Sequence, residues 1–120
     1  MQVPADAAIH ANLGLSLRDL GRTRESEAAL RRALDIDPGL ADASYALGLL
    51  LVDIGRLPEA EAAFNRAIEI APNLAHAHNN LGAVLLQLDR PADAEAAFRR
   101  ALACHPNWPE ARCNLGAGAI

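Results

Sequence analysis

The residues of this chain with the widest chemical reach are four histidines, two cysteines and a recurring asparagine. His76 and His78 stand two apart, which on a helix points their rings in different directions, and His10 and His105 are isolated, so they read as solvated or packing side chains. Cys104 and Cys113 are too few and too closely spaced for a disulfide framework. Two thiols also cannot supply a four-ligand structural zinc site, so both read as free. Every basic residue is arginine, which removes lysine nucleophiles, Schiff bases and phosphate-loop lysines. Neither a Gly-rich phosphate loop nor G-x-S-x-G nor H-E-x-x-H occurs. The charged residues Glu59 and Arg66, with Asn65 nearby, and Asp93, Glu95, Arg99 and Arg100, read as a solvated helix face rather than catalytic carboxylates. The expectation is a chain without catalytic residues, metal or cofactor.

The formal net charge of −4 gives no electrostatic footprint for nucleic acid, whose binders concentrate basic surface. No apolar run is long enough to cross a bilayer. The start MQVPADAAIH lacks the basic and apolar regions of a signal peptide, so a cytoplasmic location is expected. Apolar residues make up 52% of the chain but aromatics only 3%, so the core must be built from alanine and leucine, both strong helix formers.

Self-similarity organises the rest. Pro38, Pro72 and Pro106 are 34 residues apart, and at the same period stand Leu13, Leu47, Leu81 and Leu115, each followed by glycine. Leu30, Phe64 and Phe98 recur in register, as do Ala33, Ala67 and Ala101 and the small residues Ser26, Ala60 and Ala94. Ala43, Leu47, Leu50 and Leu51 share one helical face that must be buried. Gly21 and Gly55 suit the left-handed position just past a helix end, with Asp89 in that place one unit later. Pro58 and Pro91 then suit the first turn of a second helix, which carries Ala60, Phe64, Ala67 and Ile68 and stops before Pro72. The interior glycines imply close helix contact, with Gly48 expected near Ala60 and Gly82 near Ala94.

This pattern resembles the tetratricopeptide repeat, over Ala7 to Ile120. It departs from that pattern at the two aromatic positions, which hold His10, Ser44, His78 and Arg112, and Leu17, Leu51, Leu85 and Ala119. The resemblance implies an all-α, right-handed α-solenoid of antiparallel helix pairs: a lead-in over 1–6, units over 7–40, 41–74 and 75–108, and the first helix of a fourth over 109–120. Seven helices are expected. An apolar strip of Ala111, Leu115, Gly116 and Ala119 on the last of them predicts self-association through the C-terminal helix.

In the family the first helix of each unit lines a concave groove that holds a peptide or partner protein. By resemblance the groove residues here are Asn12, Leu15, Tyr45, Leu49, Val52, Asn79, Asn80, Leu86 and Asn114. Asn12, Asn80 and Asn114 share one register, broken by Ala46, and each amide can both donate to and accept from an extended peptide backbone. The alternative for these asparagines is mere tolerance of a half-exposed helical position. A clamp for acidic C-termini is not assembled, since only Arg18 and Arg112 are candidates for it. The asparagine before Leu-Gly resembles the repeat region of O-linked N-acetylglucosamine transferases and their bacterial relatives. That likeness implies a second reading, a substrate-recruiting arm of a larger glycosyltransferase.

Overall fold

Apolar residues at three- and four-residue spacing, interrupted every 17 positions by Gly21, Pro38, Gly55, Pro72 and Asp89 in turn, produce helices of 13 to 16 residues. The computed structural model describes residues 4–104. It shows α1 (Pro4–Asp19), α2 (Thr23–Ile36), α3 (Ala41–Asp53), α4 (Leu57–Ile70), α5 (Ala75–Gln87) and α6 (Pro91–Cys104), with no strand among the described residues. The expected seventh helix and the self-association through it fall on residues outside this range.

The turns within each pair are built alike. Gly21 and Gly55 take φ of 76° and 77°, and Asp89 takes 61°. At each turn the residue after the left-handed one donates its N–H back across it: Arg22 to Leu17 O at 2.9 Å, Arg56 to Leu51 O at 2.9 Å, and Arg90 to Leu85 O at 2.8 Å. A second bond closes beside it, as from Gly55 N to Val52 O at 3.0 Å, which satisfies carbonyls that a helix end otherwise orphans. Aspartate tolerates this conformation less well than glycine. Asp89→Gly is therefore expected to raise stability by about 0.5–1 kcal/mol, read from urea melts; an unchanged midpoint would show that the turn carries no backbone strain.

Each pair packs against itself and then on its neighbour: α1 on α2, α3 on α4, α5 on α6, with α2 against α3 and α4 against α5. First helices also approach one another at the backbone, α1 to α3 and α3 to α5, whereas the backbones of α2 and α4 stay apart and are bridged by long side chains. Contact on one side and separation on the other bends the stack, so the first helices line its inner side. Ala43, Leu47, Leu50 and Leu51 are buried, as are Ala60, Phe64 and Ala67, with Ile68 half-buried.

The interior glycines do mark close approach, but to other atoms than expected. A Cβ built on Gly48 would lie 2.6 Å from the Phe64 ring, one on Gly82 2.5 Å from Phe98, and one on Gly14 2.5 Å from Leu30. Ala60 and Ala94 are not the nearest neighbours. A helical side chain leans toward its helix N-terminus, so Phe64 covers the patch beside Ala60 and its ring reaches Gly48 first. The small residue at the Ala60 position has another use in the first unit, where the buried Ser26 Oγ donates to Gly14 O at 2.6 Å.

Register does not ensure burial. Leu47 and Leu81 are 6% and 5% exposed under the second helix of the unit before, while Leu13, with no described helix there, is 48% exposed. Leu81→Ala is expected to cost about 2–5 kcal/mol, whereas Leu13→Ala should cost less than about 1 kcal/mol, as at surface sites. Equal losses in chemical melts would contradict the packing.

On the outer helices an ion-pair ladder repeats with the units. Arg56 Nη1 lies 3.1 Å from both Glu27 oxygens while its Nε donates to Glu59 Oε1 at 2.8 Å. One unit on, Arg90 Nη1 lies 2.8 Å from both Glu61 oxygens and its Nε bonds Asp93 at 3.1 Å. Each arginine thus joins the start of its own outer helix to the outer helix of the preceding unit. Arg31, then Arg56, hold the Glu27 carboxyl below its ordinary value, and Arg56 does the same to Glu59. A depressed carboxylate contributes stability above its unfolded pKa, near 4.5, and loses it as pH falls through the folded value. The melting temperature should therefore hold from pH 7 to about 5 and fall below about 4.5, with a shallower fall in Glu27→Gln. Identical acid profiles for the two proteins would remove Glu27 from this account.

Candidate functional site

The face of α3 that looks inward carries Asp42, Tyr45, Leu49, Val52 and Asp53, all half-buried or exposed between the buried positions of the same helix. The matching face of α1 carries Asn12, Leu15, Arg18 and Asp19, and that of α5 carries His76, Asn80, Ala83 and Leu86. Leu15 and Leu49 share a register, continued by Ala83; Val52 and Leu86 share the next one. Together they form an apolar floor across three helices.

Two polar contacts tie these faces together. Arg18 of α1 forks onto Asp53 of α3, Nε to Oδ2 at 2.5 Å and Nη2 to Oδ1 at 3.2 Å. That hydrogen bond raises the Arg18 pKa above an ordinary arginine's, against the effect of partial burial. Asn80 of α5 donates one amide hydrogen to Tyr45 Oη at 3.0 Å and the other to His76 O at 2.8 Å. The Tyr45 ring is in turn braced against Phe64, with centroids 5.8 Å apart and planes at 52°. Both contacts join residues 35 apart, one repeat plus one position, a periodicity that a search for pairs across units would find.

The candidate residues therefore divide. Leu15, Tyr45, Leu49, Val52, Asn80 and Leu86 lie together on the inner surface, and Asn12 is exposed beside them. Asn79 is 7% exposed and sits inside the stack rather than on the floor. Asn114 lies outside the described residues. Of the three asparagines in register, Asn80 spends both donors within the protein and leaves its Oδ1 as the accepting group, a difference that the shared register conceals. Asp42 and the Arg18–Asp53 pair were not singled out from the pattern of repeats, because charges standing one repeat apart give no sign of which of them meet.

Other chemistry is sparse. His78 is 4% exposed and its Nε2 is paired with Pro72 O at 2.9 Å, which is a packing role. Among the described residues no three of His, Cys, Asp and Glu gather as metal ligands, and no helix is long and apolar enough to cross a membrane.

Antiparallel helix pairs stacked so that their first helices present a preformed, partly apolar inner surface define a helical-repeat binding scaffold. The chain belongs to the tetratricopeptide repeat family: two models of that repeat match it, over residues 11–75 and 55–115. No curated protein matches the sequence. Among solved structures, the first tetratricopeptide domain of Spaghetti (RPAP3) bound to HSP90 peptide SRMEEVD is similar at a TM-score of 0.94 and 20% identity, covering 98% of this chain and 93% of that one. YrrB, described as having an unusual peptide-binding site, is similar at 0.83 and 23%, over 96% of this chain and 58% of its own. The Thermobaculum terrenum O-GlcNAc transferase is similar at 0.82 and 28%, over 93% of this chain but 22% of its own.

Proposed function

We propose that the inner surface of the array holds an extended segment of a partner protein, with the apolar floor taking aliphatic side chains and the asparagines taking its backbone. The observation that supports this most directly is the set of apolar residues Leu15, Leu49, Val52 and Leu86 at repeat register on the first helices, all half-buried or exposed, with Asn80 tied across units to Tyr45. The braced Tyr45 ring makes the floor rigid, so little ordering is needed when a ligand arrives. Asn79 and Asn114 belong to the same proposal, the first as support beneath the floor and the second through the sequence register that it shares with Asn12 and Asn80.

Selection of binders from a random peptide-display library, followed by amide chemical-shift mapping, tests the reading. Selected peptides should perturb α1, α3 and α5 rather than α2 and α4. Asn80→Ala together with Asn114→Ala should weaken them by about tenfold, while loss of the two Asn80 hydrogen bonds lowers stability by no more than about 1–3 kcal/mol. Perturbations confined to the outer helices, or affinity unaffected by the double change, would end the proposal.

A second reading is favoured by the 28% identity to the Thermobaculum terrenum transferase. In it the array recruits protein substrates to a glycosyltransferase domain of the same polypeptide. The reading frame after Ile120 decides: a glycosyltransferase domain there selects this reading, and any other continuation discards it.

A further inference from the structure

Resting on the groove reading above, we infer that the segment held there is basic: an extended peptide with lysine or arginine beside its aliphatic side chains. Segments ending in a cluster of carboxylates are excluded.

The first ground is the placement of charge. Of the ten arginines in the described residues, nine lie on α2, α4 and α6 or in the turns that precede them, facing away from the groove. Arg18 alone sits on a first helix, and Asp53 holds it through two bonds. The fork uses two of the five guanidinium N–H donors and sets the Asp53 carboxylate against the Arg18 charge, so the pair presents no net positive charge to a ligand carboxylate. Asp19 and Asp42 have no ion pair among the described residues and are exposed. On α3, Asp42 and Asp53 stand at opposite ends of the inward face with Tyr45, Leu49 and Val52 between them, a separation of about 16 Å along the axis. The floor is apolar and its margins are negative.

The second ground is hydrogen-bonding capacity and is independent of formal charge. Asn80 has committed both donors to Tyr45 and His76 O, so its Oδ1 offers a ligand an acceptor only. Ionised Asp19 and Asp42 are acceptors only as well. Accepting groups at Asn80, Asp19 and Asp42 match ammonium and guanidinium groups, which donate and do not accept. The apolar floor, the acidic margins and these acceptors select the same ligand.

The display selection already described tests this with a different readout. Groove-mapped peptides should be enriched in lysine or arginine next to leucine, isoleucine, valine or phenylalanine. Their affinity, by fluorescence anisotropy, should fall several-fold as salt rises from about 0.05 to 0.3 M, because the paired charges are exposed to screening. Changing their basic residues to glutamate should lose about tenfold or more. The double variant Asp19→Asn, Asp42→Asn should lose about tenfold for the same peptides, with an unchanged circular-dichroism melt showing that it folds. The acidic peptide SRMEEVD, used as a second probe, should not bind measurably. Groove-mapped peptides that are acidic or indifferent to salt, SRMEEVD binding as tightly as a basic peptide, or the double variant binding as the parent does would each overturn the inference and leave the groove reading standing. Selected peptides that map away from α1, α3 and α5 would overturn both.

Discussion

Phe64→Ala is expected to lower the stability of the array by about 3–5 kcal/mol, the range for removing a fully buried aromatic ring. Phe64 is 0% exposed, lies at the centre of the described stack, packs over Gly48 and braces Tyr45. Its loss combines lost transfer energy with a cavity that rigid helices on both sides cannot close. Against a total of about 5–15 kcal/mol for a domain of this kind, that is a large share. In a thermal melt it corresponds to a fall of roughly 12–20 °C. Phe98→Ala should behave alike, since Phe98 is 1% exposed over Gly82 in the same arrangement. Loss of Phe64 should also loosen Tyr45, so peptide affinity should drop together with stability. A measured loss below about 1 kcal/mol would mean that the ring is not the keystone described here.

Gly48→Ala should cost about 1–3 kcal/mol even though alanine is the better helix former by about 1 kcal/mol. The added Cβ would stand 2.6, 2.7 and 2.9 Å from three atoms of the Phe64 ring, well inside contact distance, and a ring buried on every side has little room to retreat. The sign is expected to reverse when the ring is gone: in a Phe64→Ala background the same substitution fills part of the cavity and gains helix propensity, so it should stabilise by about 0.5–1 kcal/mol. That difference is a coupling energy of roughly 1.5–4 kcal/mol between residues 48 and 64, measurable by a double-mutant cycle in urea. Additive losses would show that Gly48 is retained for some reason other than the approach of Phe64. Gly82 and Phe98 provide an independent repetition of the cycle.

Helix number, order and ends within the described residues were legible because their signals are local. Gly21, Gly55 and Asp89 stop helices through their own φ, and Pro58 and Pro91 open helices through their own ring, whatever lies across the fold. The 34-residue period extended that local reading to the whole stack, since each unit repeats the burial problem of the one before. What the period could not reveal is how residues in one register differ. Leu13 and Leu47 share a position, yet one meets water and the other meets α2, because burial depends on the neighbouring unit rather than on the residue. Gly48 was correctly read as a point of close approach, but its neighbour is Phe64 and not Ala60, because a long side chain leans a full turn from its own Cα before it makes contact. Asn12 and Asn80 are alike in sequence and unlike in the fold, since Tyr45 stands within reach of one of them only. The charge of the groove was decided in the same way: composition supplies Arg18 and Asp53, and the packing of α1 on α3 brings them together and cancels them. Local backbone preference and its repetition thus determined the architecture, while contacts between units, which depend on side-chain reach across a gap of 35 residues, decided which groups remain free to bind.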